Sequence, residues 1–105
     1  MSEPFARTDA PLCVVVLTYV APLDAIDARM KEHVAWLGKG YAEGVFLASG
    51  RQIPRTGGII LVRGEKAAVE AVVAADPFVS GGLATAEITA FTASMVLPPI
   101  AGLLE

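Results

Sequence analysis

The sequence predicts one α+β domain in which two helices cover one face of an antiparallel sheet, with elements in the order β-α-β-β-α-β. Three observations carry this. Two stretches with apolar residues at helical spacing, 23–42 and 65–75, alternate with short β-branched runs. A Gly- and Pro-containing connection between the second and third runs, 50–58, has the length of a hairpin loop and not of a crossover. The chain has 105 residues, enough for one core and too few for two.

Residues 1–11 contain two prolines and no periodicity, so they read as a loose leader to a single domain over 12–105. The run from Leu12 to Val20 is rich in valine and is stopped by Pro22, as expected of a central strand covered on both faces. From Leu23 to Ala42 the residues Leu23, Ile26, Met30, Val34, Leu37 and Tyr41 recur at steps of three and four, which places them on one helical face. Glycines 38, 40 and 44 are expected to end this helix, and 45–49 to form the second strand. The loop 50–58 leads into a strand at 59–63. Residues 65–75 form the second helix, ended by Pro77, because the residue before a proline avoids the α region. The stretch 84–92 is rich in Thr, Ile and Phe and reads as the fourth strand. The apolar tail, interrupted by Pro98 and Pro99, is expected to pack across a partner or a barrel edge.

Composition narrows the function classes. Hydrophobic residues make up 54% and charged residues 18%, a balance richer in apolar side chains than that of most soluble monomers. A homodimer is expected, because a second copy would cover the sheet face that the helices leave open. The net charge is -3 and the pI about 5.0, so no basic field exists to attract nucleic acid or an anionic membrane surface. No apolar run approaches the roughly 18 residues that span a bilayer, and the N-terminal stretch has no signal-peptide core. Cys13, the one cysteine, lies in the first strand as a small hydrophobe, and a reduced, cytoplasmic setting is expected.

His33, the only histidine, is the leading candidate for chemistry. At about 100° per residue it lies roughly 60° from the centre of the apolar stripe, beside Ile26, Met30 and Leu37 and away from bulk water. Imidazole is the one side chain that exchanges protons near neutrality without perturbation. A solitary histidine on a helix flank is, however, more often structural.

Four stretches occur in order: Glu32-His33-Val34-Ala35-Trp36-Leu37, Leu47-Ala48-Ser49-Gly50, Pro54-Arg55-Thr56-Gly57-Gly58 and Ala75-Asp76-Pro77-Phe78. Together they resemble the YciI-like (YCII-related) family over residues 13–91. The resemblance implies a ferredoxin-like dimeric α+β barrel and a His-Asp dyad at His33 and Asp76. It also implies a precedent for metal-free proton chemistry, the elimination of HCl from a chlorinated, hydroxylated aromatic. One departure is plain: many members carry proline after the Ser-Gly step, where this chain has Arg51, which makes the loop more cationic.

Asp76 fits two roles. Ahead of Pro77 it is a good N-cap for a short turn at 77–80. At the end of the preceding helix an ionised Asp76 faces the negative end of the dipole, and a protonated His33 would offset the roughly 0.3–1 kcal/mol that this costs. Arg51 and Arg55 are candidates to clamp an anionic group, with solvated loop charges as the commoner alternative. Ser49 sits in no nucleophile-elbow pattern and is a candidate to orient a ligand or cap a turn. Phe78 is a candidate for substrate contact, and it and Trp36 fit packing as well. Gly57-Gly58 is turn chemistry, and no metal site or cofactor is expected. The expected activity is acid-base chemistry on a small molecule, with a non-catalytic ligand-binding module and a purely structural dimer as the alternatives.

Overall fold

A computed structural model of the chain describes residues 3–104. The valine-rich run forms the long strand β1 (Ala6–Tyr19), which pairs antiparallel with β3 (Gly57–Arg63) on one side and β4 (Ala84–Val96) on the other. The short strand β2 (Phe46–Arg51) pairs antiparallel with the outer edge of β3, giving the sheet order β2-β3-β1-β4. β1 therefore starts six residues before Leu12, and residues 6–11 are strand and not leader. They are held by pairing with the end of β4, Ala6 opposite Val96 and Ala10 opposite Ala93, across a bulge at Arg7–Ala10. The Thr8 hydroxyl donates to the Ala93 carbonyl within that bulge. Prolines and alternating polar residues hide this extension from a hydrophobic pattern.

Because side chains alternate along a strand, Cys13, Val15 and Leu17 point to one face and Leu12, Val14 and Val16 to the other. The first set is buried with Phe46, Ile60, Val62, Val69 and Val73 under helices α2 (Met30–Ala42) and α3 (Lys66–Ala74). A second cluster, Ile26, Phe78 and Ala84, joins α1 (Leu23–Ala28) to the short helix α4 (Pro77–Ser80). The sequence predicts one helix over 23–42, but the chain breaks at Arg29 (φ -108°, ψ 5°), whose amide donates to Ile26 in a tightened turn. The break lets α1 seat Ile26 beside Phe78 while α2 lays Trp36 and Leu37 over the main core.

Gly38 and Gly40 lie inside α2 and do not end it. Gly40 is a contact glycine: a Cβ there would lie 2.2 Å from the Phe46 ring. The terminating glycine is Gly44, at φ +73°, a left-handed position that glycine adopts without strain.

The C-terminal 3-10 helix (Pro98–Leu103) turns back onto its own sheet, where Leu104 is buried against Ala10, Leu12 and Ala93. The rest of that face carries exposed Ile59, Phe91 and Met95. Among the described residues no helix is long and apolar enough to cross a membrane.

Candidate active site

The site begins with a helix cap. Asp76 is in an extended conformation, Pro77 follows at the first helical position, and Asp76 Oδ1 accepts the Phe78 amide at 3.0 Å. This is what the Asp-Pro pair dictates locally, since proline needs no partner for its missing N–H and the carboxylate serves the next amide. The same Oδ1 lies 2.8 Å from His33 Nδ1 on α2. Cap and histidine partner are thus both present in one side chain. Asp76 is fully buried, while the His33 side chain keeps 12% of its surface. Asp76 Oδ2 is buried with no hydrogen-bond partner among the described residues, so the carboxylate is served through one oxygen only.

Phe78 lies behind the imidazole, its ring 4.0 Å away and nearly parallel, and Trp36 approaches His33 at 5.7 Å. With Nδ1 committed to Asp76 and one ring face covered by Phe78, Nε2 is the nitrogen left for a ligand. The imidazole lines a cavity of about 270 Å³ between α2 and the sheet, together with Leu17, Tyr19, Met30, Ser49 and Arg51.

A bulge brings Ser49 and Arg51 there. Strict alternation from the buried Phe46 would send Ser49 to the open face, but the register of β2 slips between Phe46 and Ala48, so that Ser49 pairs with the core residue Ile60 and Arg51 with Gly58. One inserted residue re-aims every side chain beyond it. Ser49 is then held by Tyr41, Oγ to hydroxyl at 2.7 Å. Arg51 is exposed at the cavity wall, and no hydrogen bond engages its side chain among the described residues.

Two expected ligand contacts lie elsewhere. Phe78 is 1% exposed and supports the imidazole instead of lining the cavity. Arg55 is also absent from the lining and pairs with Asp27 of α1 at 2.5 Å. That hydrogen bond holds the guanidinium above its ordinary pKa and the Asp27 carboxyl below its own. A loop arginine with an acid in reach pairs within the protein before any ligand arrives, here through one terminal nitrogen, while Arg55 Nε is buried with no partner among the described residues.

Sequence reasoning missed Tyr19 and Tyr41. Tyr19 lies two residues beyond Leu17 on the same side of β1, a spacing that placed it toward the helices. Tyr41 stands in the apolar stripe of α2, where its hydroxyl was the unused signal. Among the described residues no three His, Cys, Asp or Glu side chains gather as metal ligands.

A split βαβ sheet with helices on one face, and an Asp-bonded histidine at the edge of a cavity between them, define a ferredoxin-like α+β protein with a small-molecule-sized site. The chain belongs to the YCII-related domain family, whose model matches residues 12–92. Among solved structures it is similar to a 5-chloro-2-hydroxyhydroquinone dehydrochlorinase from Burkholderia phenoliruptrix, determined in complex with 2,5-dihydroxybenzoquinone. The TM-score is 0.65 at 18% identity, over 74% of this chain and 90% of that one, a likeness of fold. No curated protein sequence matches the chain.

Proposed function

We propose that this protein is a metal-free acid-base enzyme, lyase-like, acting on a small hydroxylated aromatic or similarly anionic molecule, with His33 as general base and Asp76 as its orienting partner. The observation that carries the reading is the 2.8 Å bond from His33 Nδ1 to Asp76, made by an imidazole that also lines the cavity. A carboxylate on Nδ1 keeps the proton there, leaves the Nε2 lone pair free, and stabilises the imidazolium once a proton is taken. Asp76 is itself fixed by the cap to Phe78, so the base is aimed before substrate enters.

In an elimination of this kind Nε2 takes a proton from the substrate. The electron pair of the broken bond forms the new double bond, and the leaving group departs with the pair that bound it. The imidazolium then returns its proton to solvent. Arg51 balances negative charge on a substrate oxygen, and Ser49, anchored by Tyr41, orients another. The ligand of the dehydrochlorinase of similar fold, 2,5-dihydroxybenzoquinone, suggests the substrate class.

The test is chloride release from 5-chloro-2-hydroxyhydroquinone and related chlorinated hydroxyaromatics, with binding of 2,5-dihydroxybenzoquinone measured in parallel. Turnover by the parent and its loss in a folded His33→Ala protein is the expected result. Turnover unchanged in His33→Ala overturns the assignment, and binding without turnover of any of these compounds points to a ligand-binding module.

The same reading includes a homodimer. Ile59, Phe91 and Met95 are each more than 40% exposed on the open face, and a second copy packed sheet to sheet would cover them. Light scattering of the purified chain decides this, and a monomer at tens of micromolar overturns it.

A further inference from the structure

The strand register places an acid where it has no partner within the chain. Gly50 stands opposite Ile59, Ile59 opposite Val16, and Val16 opposite Glu87, so these four residues form one row across the whole sheet from β2 to β4. Residues directly opposite share a face, and Val16 puts this row on the open one. Glu87 is the only charged residue of β4, it is exposed, and neither a hydrogen bond nor an ion pair engages its side chain among the described residues.

The other end of the row is a notch. Gly50 has no side chain, and a Cβ there would meet nothing within 4 Å. Around it Ala48, Ser49, Arg51, Ile59 and Leu61 line a depression of about 220 Å³. Ser49, Gly50, Arg51 and Ile59 also line the cavity that His33 enters, so the end of β2 is a wall shared by the two. Arg51 closes that strand with its side chain free of hydrogen bonds among the described residues, and Asp27, which feels its charge, is already bonded to Arg55. The row thus ends on one side in an unpaired anion and on the other beside an unpaired cation.

One chain cannot join them, because β3 and β1 lie between. Two copies packed sheet to sheet can. A two-fold axis parallel to the strands, through the middle of the sheet, lays β2 of one copy over β4 of the other and keeps every row at its own level. Glu87 of the partner subunit then comes over Gly50, beside Arg51. An axis across the strands would lay β2 on β2 and β4 on β4, like charge toward like. Packed sheets lie about 10 Å apart, a gap that a glutamate and an arginine reaching round a bare glycine at the sheet edge span together.

We infer that Glu87 of the partner subunit pairs with Arg51, so that each copy completes the cavity of the other. The pair presupposes both the sheet-to-sheet dimer and the cavity as the binding site, and it gives the dimer a catalytic purpose. The partner's Glu87 is a positioning residue. It takes one side of the guanidinium and leaves the remaining donors of this five-donor group for an anionic oxygen in the cavity. An arginine already held loses less conformational freedom when that ligand arrives. By symmetry the contact forms twice in each dimer.

The experiment measures dimer dissociation constants by sedimentation velocity for the full chain, Arg51→Glu, Glu87→Arg and the double exchange. Each single reversal sets like charges against each other twice and is expected to weaken the dimer at least about tenfold. The double exchange restores opposite charges and is expected to return to within about threefold of the parent, the coupling that a double-mutant cycle reads. Absorbance titration with 2,5-dihydroxybenzoquinone, at concentrations where the dimer persists, is expected to show binding about three- to fivefold weaker in Glu87→Gln, the scale of one exposed ion pair. The side chain removed lies at the far edge of the sheet from its own cavity, so only the partner's site can feel the change. A parent that is monomeric at tens of micromolar removes the dimer and the pair with it. A dimeric parent whose single reversals dissociate no more readily, or whose double exchange recovers nothing, overturns the pair and leaves the dimer standing. Equal affinity for the probe in parent and Glu87→Gln overturns the positioning role. A parent that does not bind the probe removes the cavity reading and that role together, while the dissociation constants still decide the pair.

Discussion

Phe78 lies flat against the His33 imidazole, ring centroids 4.0 Å apart and planes 7° from parallel, and its backbone amide donates to the same Asp76 oxygen that holds His33 Nδ1. One residue thus fixes the ring from its face and the carboxylate from behind. Phe78 is also among the largest fully buried side chains, at the centre of the cluster with Ile26 and Ala84. Phe78→Ala is expected to cost about 3–5 kcal/mol, the usual range for emptying such a site. It should also loosen the imidazole. Urea titration gives the first quantity; the second appears as a broadened resonance from the only histidine in the chain.

Asp76 separates two jobs under substitution. Asn accepts the Phe78 amide as Asp does, so Asp76→Asn should keep α4 capped, with stability within about 1 kcal/mol of the parent. It cannot act as a negatively charged partner for an imidazolium. Turnover should fall by about 10²–10⁴, the scale seen when a base loses its orienting carboxylate. Asp76→Ala removes cap and partner together and should lose about 0.5–2 kcal/mol of stability as well. Nitrogen NMR of His33 reads the tautomer directly: Nδ1–H in the parent, and a mixture of the two forms in Asp76→Asn.

Much of this arrangement was legible before the structure. The element order, the placement of His33 at the edge of the core-facing stripe, and the double fitness of Asp76 all follow from spacing and cap chemistry, and the family resemblance joined the two residues. What escaped the sequence shares a physical cause. A bulge at Leu47 reverses the facing of Ser49 and Arg51, and nothing in Phe46–Arg51 announces it. The Arg55–Asp27 pair joins a hairpin loop to a helix 28 positions away in sequence, and only the folded chain brings them within 2.5 Å. Hydrophobic periodicity reports which face is dry. It does not report a register slip or a charge satisfied across elements.

The glycines of α2 give a paired test of packing against propensity. A Cβ at Gly38 meets nothing within 4 Å, so Gly38→Ala should stabilise the chain by about 0.5–1 kcal/mol through helix propensity alone. Gly40→Ala gains the same propensity, but its methyl would press into the Phe46 ring. Overpacking of that kind costs about 1–3 kcal/mol, so the net change should be destabilising. Thermal melts of the two variants should move in opposite directions; equal shifts would show that Phe46 yields freely.

Cys13 provides a pH test of the core. Its thiol is fully buried in β1, with Sγ 3.6 Å from the Gly64 carbonyl, and burial raises its pKa above the ordinary value of 9.0, with the nearby Lys66 opposing in part. As pH rises through about 9 the unfolded chain therefore loses this proton while the folded chain keeps it. The unfolded state then binds fewer protons, and stability falls with rising pH by up to about 1.4 kcal/mol per unit between the two pKa values. Below the unfolded value the thiol is neutral in both states and adds no pH dependence. Lysines and tyrosines titrate in the same range, so the quantity to read is the difference between parent and Cys13→Ala in urea midpoint at pH 7, 9 and 10. The substitution lowers stability at pH 7 by leaving a small cavity, and the gap to the parent should narrow above pH 9. A gap constant from pH 7 to 10 would mean that the thiol ionises as readily in the folded core as in water.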